Sequence, residues 1–309
     1  MTPQAYALIF LGSVFLSIFF VSLARALAYK HNFVDAPDGN RKLQASAIPK
    51  IGGAGLILTF SSVLMTATWL NRDIRLVPLL GVLVPALAVA FVGLVDDFKP
   101  LSPWTRLFFQ TVAILALWYS GIGISIFENT AINFLATLIW ILTILNALNL
   151  IDNSDGLAAG VTLISAIGMT LVAVLFDQYL VASLSLALSG VAVGFLRFNW
   201  NPASIYLGDA GSYFFGFLLA VLAIELEPVK ADLVWGVLIP LLLLLFPIID
   251  LFFVVLRRTL EGRHLFTPGR DHLSHELISH DFSVRKAVSV IYLFQFSSVL
   301  LVVFLVTKI

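Results

Sequence analysis

The chain has 309 residues, 60% of them hydrophobic and 12% charged, whereas a soluble domain carries roughly 25% charged and 45–50% apolar residues; a water-soluble globule is excluded. A mean hydropathy of +1.01, with apolar runs matching the roughly 20 helical residues a hydrocarbon core takes, marks a polytopic membrane protein. Eighteen Lys and Arg balance eighteen Asp and Glu, so net charge indicates no nucleic-acid partner, and the lack of cysteine excludes disulfides, thiolate metal sites and a cysteine nucleophile.

In chain order, the first apolar stretch, 5–28, has no basic residue before Arg25 and is too long for a signal-peptide core, so it reads as a retained span. Nine more follow, near 52–70, 76–95, 107–121, 131–150, 157–176, 179–198, 209–225, 233–256 and 286–307. They are apolar throughout rather than alternating, and only helices or closed barrels satisfy the backbone in lipid. The expectation is an all-α bundle of about ten transmembrane helices, a single transmembrane catalytic domain over 1–309. With the N-terminus outside, every Lys and Arg except Arg72, Arg75, Lys230 and Lys308 falls on the cytoplasmic side, as the positive-inside rule expects. Asp35, Asp38, Asp96, Asp97, Asp152, Asp155, Asp209, Asp250, Glu261, Asp271, Glu276 and Asp281 share that face. Acidic residues contribute little to topology, so their clustering points to a cytoplasmic site.

Five polar segments on this face could carry chemistry. The first loop, Val34 to Gly53, supplies Arg41, Lys42 and Lys50, and Gly52-Gly53 permits close backbone approach. Asp96 and Asp97 end the third span as adjacent carboxylates whose repulsion a cation would relieve. Asn146, Asn149, Asp152 and Asp155 recur every three residues, which on a helix makes one polar strip facing the protein interior or a cleft. Asp209, in Gly208-Asp209-Ala210-Gly211-Ser212, is placed as an N-cap, and beside the other acidic clusters as a ligand of a hard cation; Mg²⁺ or Mn²⁺ suits an oxygen-rich, cysteine-free site. Between the ninth and tenth spans, Arg257 to His275 interleaves Arg with His, a pattern suited to a phosphate-rich ligand. Gly190 and Gly194 read as helix packing.

Together these segments resemble the polyprenyl-phosphate N-acetylhexosamine-1-phosphate transferases (glycosyltransferase family 4), in particular the undecaprenyl-phosphate GlcNAc-1-phosphate transferase branch, which is related to the phospho-MurNAc-pentapeptide translocases. The likeness covers nearly the whole chain in the family's order: Arg-Lys…Ile-Pro…Gly-Gly, Gly-x-x-Asp-Asp, Asn-x-x-Asn-x-x-Asp-x-x-Asp-Gly-Leu, Gly-Asp-x-Gly-Ser, and Pro-x-x-Asp…Arg-Arg…Arg-Asp-His-x-x-His from Pro247 to His275.

The resemblance implies a Mg²⁺-dependent reaction at the cytoplasmic face of a bacterial-type inner membrane: UDP-sugar plus polyprenyl (undecaprenyl) phosphate gives a polyprenyl-diphosphate sugar, which initiates cell-envelope glycan synthesis, and UMP. It implies that Asp96 or Asp97 deprotonates or positions the lipid phosphate, that Asp209 with Asp97 and Asp152 holds the metal, and that Asn149, Asp152, Asp155, Arg270, His272 and His275 bind the nucleotide sugar. Arg41, Lys42 and Asn146 fall to the lipid phosphate, and family habit implies a homodimer. The chain departs from the family's pattern at Gln44, Asn153-Ser154, Gly269 and Ser274, and lacks the translocases' His-Phe-Glu signature, which favours a free amino-sugar donor such as UDP-GlcNAc. From another class, an ion-coupled secondary transporter would also use membrane carboxylates, but such carriers place them near the midplane and repeat their halves; no internal repeat is visible.

Overall fold

The computed structural model describes residues 2–35, 47–70, 76–226, 228–229, 232–267 and 269–308. Side chains fix where several helices begin. Thr2, Ser102, Asn129, Asp232 and Ser283 each accept a first-turn N–H, satisfying donors that a helix start leaves open. Pro3 and Pro103, which have no N–H, follow two of these caps where none is needed.

The described residues form α1 (Pro3–Lys30), α2 (Gly52–Leu70), α3 (Leu76–Phe98), α4 (Pro103–Tyr119), α5 (Thr130–Ile151), α6 (Leu157–Leu175), α7 (Tyr179–Asn199), α8 (Gly208–Ile224), α9 (Leu233–Leu243), α10 (Leu245–Leu260), α11 (Leu273–Ser279) and α12 (Val284–Val306). Two short strands, β1 (Val34–Asp35) and β2 (Ile48–Pro49), pair antiparallel with Val34 opposite Pro49. Each of the ten apolar stretches is thus helical, in an all-α membrane architecture.

The expected count of about ten crossings is not confirmed. Among the described residues, six helices are long and apolar enough to span a membrane, or seven if α9 and α10, bent by 81° at their junction, count as one. α8 and the described part of α2 are apolar but shorter, and α4 has 17 residues. For α8 the reason is burial: every side chain from Ala210 to Ile224 is covered by protein, because α8 runs through the middle of the bundle against α2, α3, α5, α6, α7 and α9. A helix wrapped by helices need not match the lipid thickness. The ninth stretch is broken, and β1, β2 and α11 lie in segments that hydropathy leaves blank.

Close packing around this centre relies on small residues, as the sequence indicated for Gly190 and Gly194. A Cβ at either position would lie within 2.7 Å of Ser13 or Ser17 of α1, and Ser17 Oγ donates to Val191 O across the same contact at 2.8 Å. Without a hydrophobic drive between helices in lipid, such backbone approach and hydrogen bonding hold them together.

Candidate active site

The start of α8 is assembled from three distant segments. Gly52 and Gly53 donate their N–H groups to Tyr206 O (3.0 Å) and Leu207 O (2.9 Å), and Tyr206 N donates to Pro49 O (2.8 Å). Gly208 then turns the chain at a φ of +74, a conformation that favours glycine. From α3, the Asp97 carboxylate accepts from Asp209 N at 3.0 Å and Ala210 N at 3.2 Å. Asp97 therefore caps α8 in trans, where an anion is favoured by unpaired donors and by the helix dipole. One turn earlier, Gly93 makes the approach possible, because a Cβ there would sit 2.4 Å from Asp209 O.

Around this cap the other carboxylates gather. Asn149 at the end of α5 donates to Asp209 Oδ1 (2.6 Å) and Ser212 Oγ (3.0 Å). Asp152 accepts the Gly208 N–H; burial first, then the charges of Asp209, Asp97 and Asp155, push its carboxyl well above the usual range. Asp209 also feels the charges of Asp97 and Asp96, a repulsion that a nearby cation would relieve. Asp96 is engaged with Leu101 N (2.6 Å) and, in an ion pair, with Arg106 of α4 (3.0 Å). The repulsion between Asp96 and Asp97 is thus relieved largely by the protein, through Arg106 on one side and the α8 donors on the other.

A cavity of about 610 Å³ opens over these groups, lined by Asp96, Asp97, Asp152, Asp155 and Asp209, with Lys50 and Arg106 as its cations and Asn153, Ser154 and Tyr206 on its wall. Lys50 pairs with Asp35 of β1 at 3.1 Å. In the sequence, Arg106 stands out only as part of the cytoplasmic positive charge. Its signal was its place in the first turn of a helix that returns antiparallel beside Asp96.

The even spacing of Asn146, Asn149, Asp152 and Asp155 does not make one helical strip. α5 stops at Ile151, Asp152 is its C-cap, and Gly156 at a φ of +79 begins the return. The four consequently diverge. Asn149 and Asp152 meet Asp209, whereas Asn146 lies one turn deeper and bonds Gln110 of α4 at 3.0 Å. Asp155 Oδ2 accepts from Asn201 Nδ2 and Ala203 N, both at 2.9 Å, holding the loop that leads to α8. Arg41 and Lys42 lie outside the described residues.

Arg270, His272 and His275 do not line the cavity; they belong to the polar loop beside it. There Arg258 binds Asp271 through two bonds of 2.7 and 2.8 Å and holds its carboxyl down at about 2. His272 Nδ1 meets the buried Asp250 carboxylate at 2.8 Å, and Leu273 N donates to the same group at 2.8 Å. The imidazole of His275, pushed down by burial and then by His272, keeps a buried Nδ1 without a hydrogen-bond partner. Ser274 Oγ donates to Asn153 Oδ1 at 2.7 Å, joining the loop to the cavity wall.

A divalent cation here would have to rest on few protein ligands. Among the described residues no three His, Asp or Glu side chains form a closed metal cage. Mg²⁺ is ordinarily held by one or two carboxylates with waters and substrate phosphates completing the octahedron, and Asp209, crowded by Asp96, Asp97 and Asp152, supplies such a partial site.

A family model described as glycosyl transferase family 4 matches residues 79–227, the segment containing the α3, α5 and α8 side of the cavity. The chain is 30% identical to the probable undecaprenyl-phosphate N-acetylglucosaminyl 1-phosphate transferase of Bacillus subtilis, over 93% of its own length and 81% of that protein. The chain belongs to the glycosyl transferase family 4 enzymes. It is also 30% identical to a decaprenyl-phosphate N-acetylglucosaminephosphotransferase of Mycobacterium tuberculosis, with 93% and 79% of the two chains covered. A phospho-N-acetylmuramoyl-pentapeptide-transferase of Streptococcus thermophilus, 30% identical, aligns over 62% of this chain and 63% of its own.

Proposed function

We propose that this membrane enzyme transfers N-acetylhexosamine 1-phosphate, GlcNAc-1-phosphate foremost, from its UDP-sugar to polyprenyl phosphate, releasing UMP at the cytoplasmic face of a bacterial inner membrane. The whole chain acts as one catalytic domain, in a homodimer. One observation carries the reading: Asp97, Asn149, Asp152 and Asp209, from separate parts of the chain, meet at the first turn of α8 beside Arg106 and Lys50. The named activities of the Bacillus and Mycobacterium relatives support it.

The chemistry brings two anions together, so the site must offset charge and align the reacting atoms. An oxygen of the lipid phosphate attacks the sugar-bearing phosphorus of the donor, a new P–O bond forms, and the P–O bond to UMP breaks. Any proton on the lipid phosphate passes to a carboxylate. Asp97 suits that role better than Asp96, which is buried and committed to Arg106 and Leu101 N. Arg106 and Lys50 offset the incoming phosphates, joined by Arg41 and Lys42. Asn146, one turn deeper and bonded to Gln110, would act on the lipid phosphate only from behind the cavity wall, and Asn149, Asp152 and Asp155 shape the nucleotide side. Arg270, His272 and His275 hold the donor diphosphate from the adjoining loop. Mg²⁺, or Mn²⁺, at Asp209 with Asp97 and Asp152 beside it supplies Lewis-acid charge neutralisation when bound.

No nucleophilic side chain is needed. The test is purified protein with radiolabelled UDP-GlcNAc and other UDP-sugars, undecaprenyl phosphate and Mg²⁺. Equimolar UMP and lipid-linked sugar, with no phosphorylated aspartate trapped in turnover, are expected; no product from any donor contradicts the reading. The ion-coupled carrier is disfavoured because these carboxylates sit at helix ends on one face rather than at the midplane.

A further inference from the structure

The break between α9 and α10 leaves backbone groups that lipid cannot satisfy. Pro247 has no N–H, so the carbonyl of Leu243 four residues earlier loses its helical donor. Helix α12 answers for these groups. Gln295 Nε2 donates to Leu243 O (2.7 Å), Gln295 Oε1 accepts from Phe246 N (2.9 Å), and Ser298 Oγ donates to Leu242 O (2.7 Å). Gln295 Nε2 also reaches Ser165 Oγ of α6 at 3.2 Å. The Gln295 side chain is fully buried, and its amide serves as donor to one lip of the break and acceptor from the other.

What Gln295 holds in place is more than a bend. Phe246 heads a stripe at four-residue steps, Phe246, Asp250, Val254 and Arg258, each under 5% exposed, so anchoring Phe246 sets the rotation of the buried face of α10. Asp250 on that stripe receives His272 Nδ1 and Leu273 N, Arg258 grips Asp271, and Ser274 closes onto Asn153 of the cavity wall.

We propose that Gln295, deep in the membrane, is a positioning residue for the polar loop, fixing the angle and rotation of α10 that carry Asp250 and His272 to the cavity edge. The proposal rests on the reading that this loop holds the donor diphosphate. Leaving two buried backbone groups unpaired is costly, so Gln295→Leu should relax the bend.

The chain contains no cysteine, so spin labels at Leu27→Cys and Leu260→Cys, both exposed, report the position of α10 against α1 by pulsed dipolar EPR in lipid nanodiscs. Gln295→Leu is expected to shift or broaden that distance and to raise KM for UDP-GlcNAc tenfold or more, with a smaller change in KM for polyprenyl phosphate. Gln295→Asn and Ser298→Ala, which each weaken part of the clasp, should move both readouts the same way by less. An unchanged distance and donor KM in folded Gln295→Leu, or in both milder variants should Gln295→Leu not fold, overturns the proposal. A wild-type chain that transfers nothing from any UDP-sugar, while Gln295→Leu still shifts the distance, overturns the assigned reaction and leaves the positioning role standing.

Discussion

Asp152 and Asp155 stand three residues apart and do different work. Asp152 faces Asp209 and Asp97, whereas Asp155 spends an oxygen on Asn201 and Ala203. Asp155→Asn, which keeps one acceptor oxygen but loses the charge, should lower turnover with little loss of stability, while Asp155→Ala should also lower stability by about 1–3 kcal/mol through unpaired donors; thermal unfolding in detergent alongside transfer rates separates the two. Asp209→Asn should cut turnover about 10²-fold or more, the scale of losing one charge-stabilising group, with folding retained. Asp97→Asn should also lose turnover, but at some cost in stability, because Asp97 closes the start of α8 and is not simply solvated in a cleft. The polar loop gives a pH prediction. Asp271 sits at about 2 beside Arg258, below the ordinary value near 3.9, so its ion pair contributes fully above about pH 4 and is lost as pH falls towards 2. Limited proteolysis between residues 261 and 272 should therefore accelerate across that acid window in the wild type, and already be fast at neutral pH in Asp271→Ala.

At the scale of elements, the sequence marks apolar helices well because lipid selects for unbroken apolar runs, and all ten stretches are helical. It marks their ends less well. The first turn of α4 was hidden because Ser102-Pro103 starts a helix through capping rather than hydropathy. The break at Leu244 was hidden because its remedy, Gln295, lies 49 residues away from Phe246. The Asn-x-x-Asn-x-x-Asp-x-x-Asp spacing misled, since periodicity assumes a helix that here ends at Ile151. The α3–α8 contact yields a sharp prediction. Gly93→Ala would put a methyl 2.4 Å from Asp209 O, forcing α3 and α8 apart, with loss of turnover and about 1–3 kcal/mol of stability from overpacking. Gly12→Ala, where a Cβ meets nothing within 4 Å, serves as the matched control and should be neutral to stabilising in both readouts.

Across the whole molecule, helices that alternate in direction bring the ends of α3 and α5 and the starts of α4, α6 and α8 to one face, so carboxylates from residue 96 to residue 209 share a cavity. In the sequence, Asp96, Asp97, Asp152 and Asp209 stand out because charge at a membrane boundary is costly and conspicuous. That Arg106 pairs with Asp96, that Lys50 joins the cavity wall, and that Arg270, His272 and His275 stand one layer away depend on tertiary contacts. The proposed metal site is Asp209, with Asp97 and Asp152 beside it, holding one divalent cation together with the donor phosphates. Mn²⁺ titration followed by EPR, on purified protein with UDP-GlcNAc present, measures this without relying on turnover. One tightly bound Mn²⁺ per chain is expected in the wild type and none in Asp209→Asn; equal binding in Asp209→Asn, or no tight binding in the wild type, rules the shared site out.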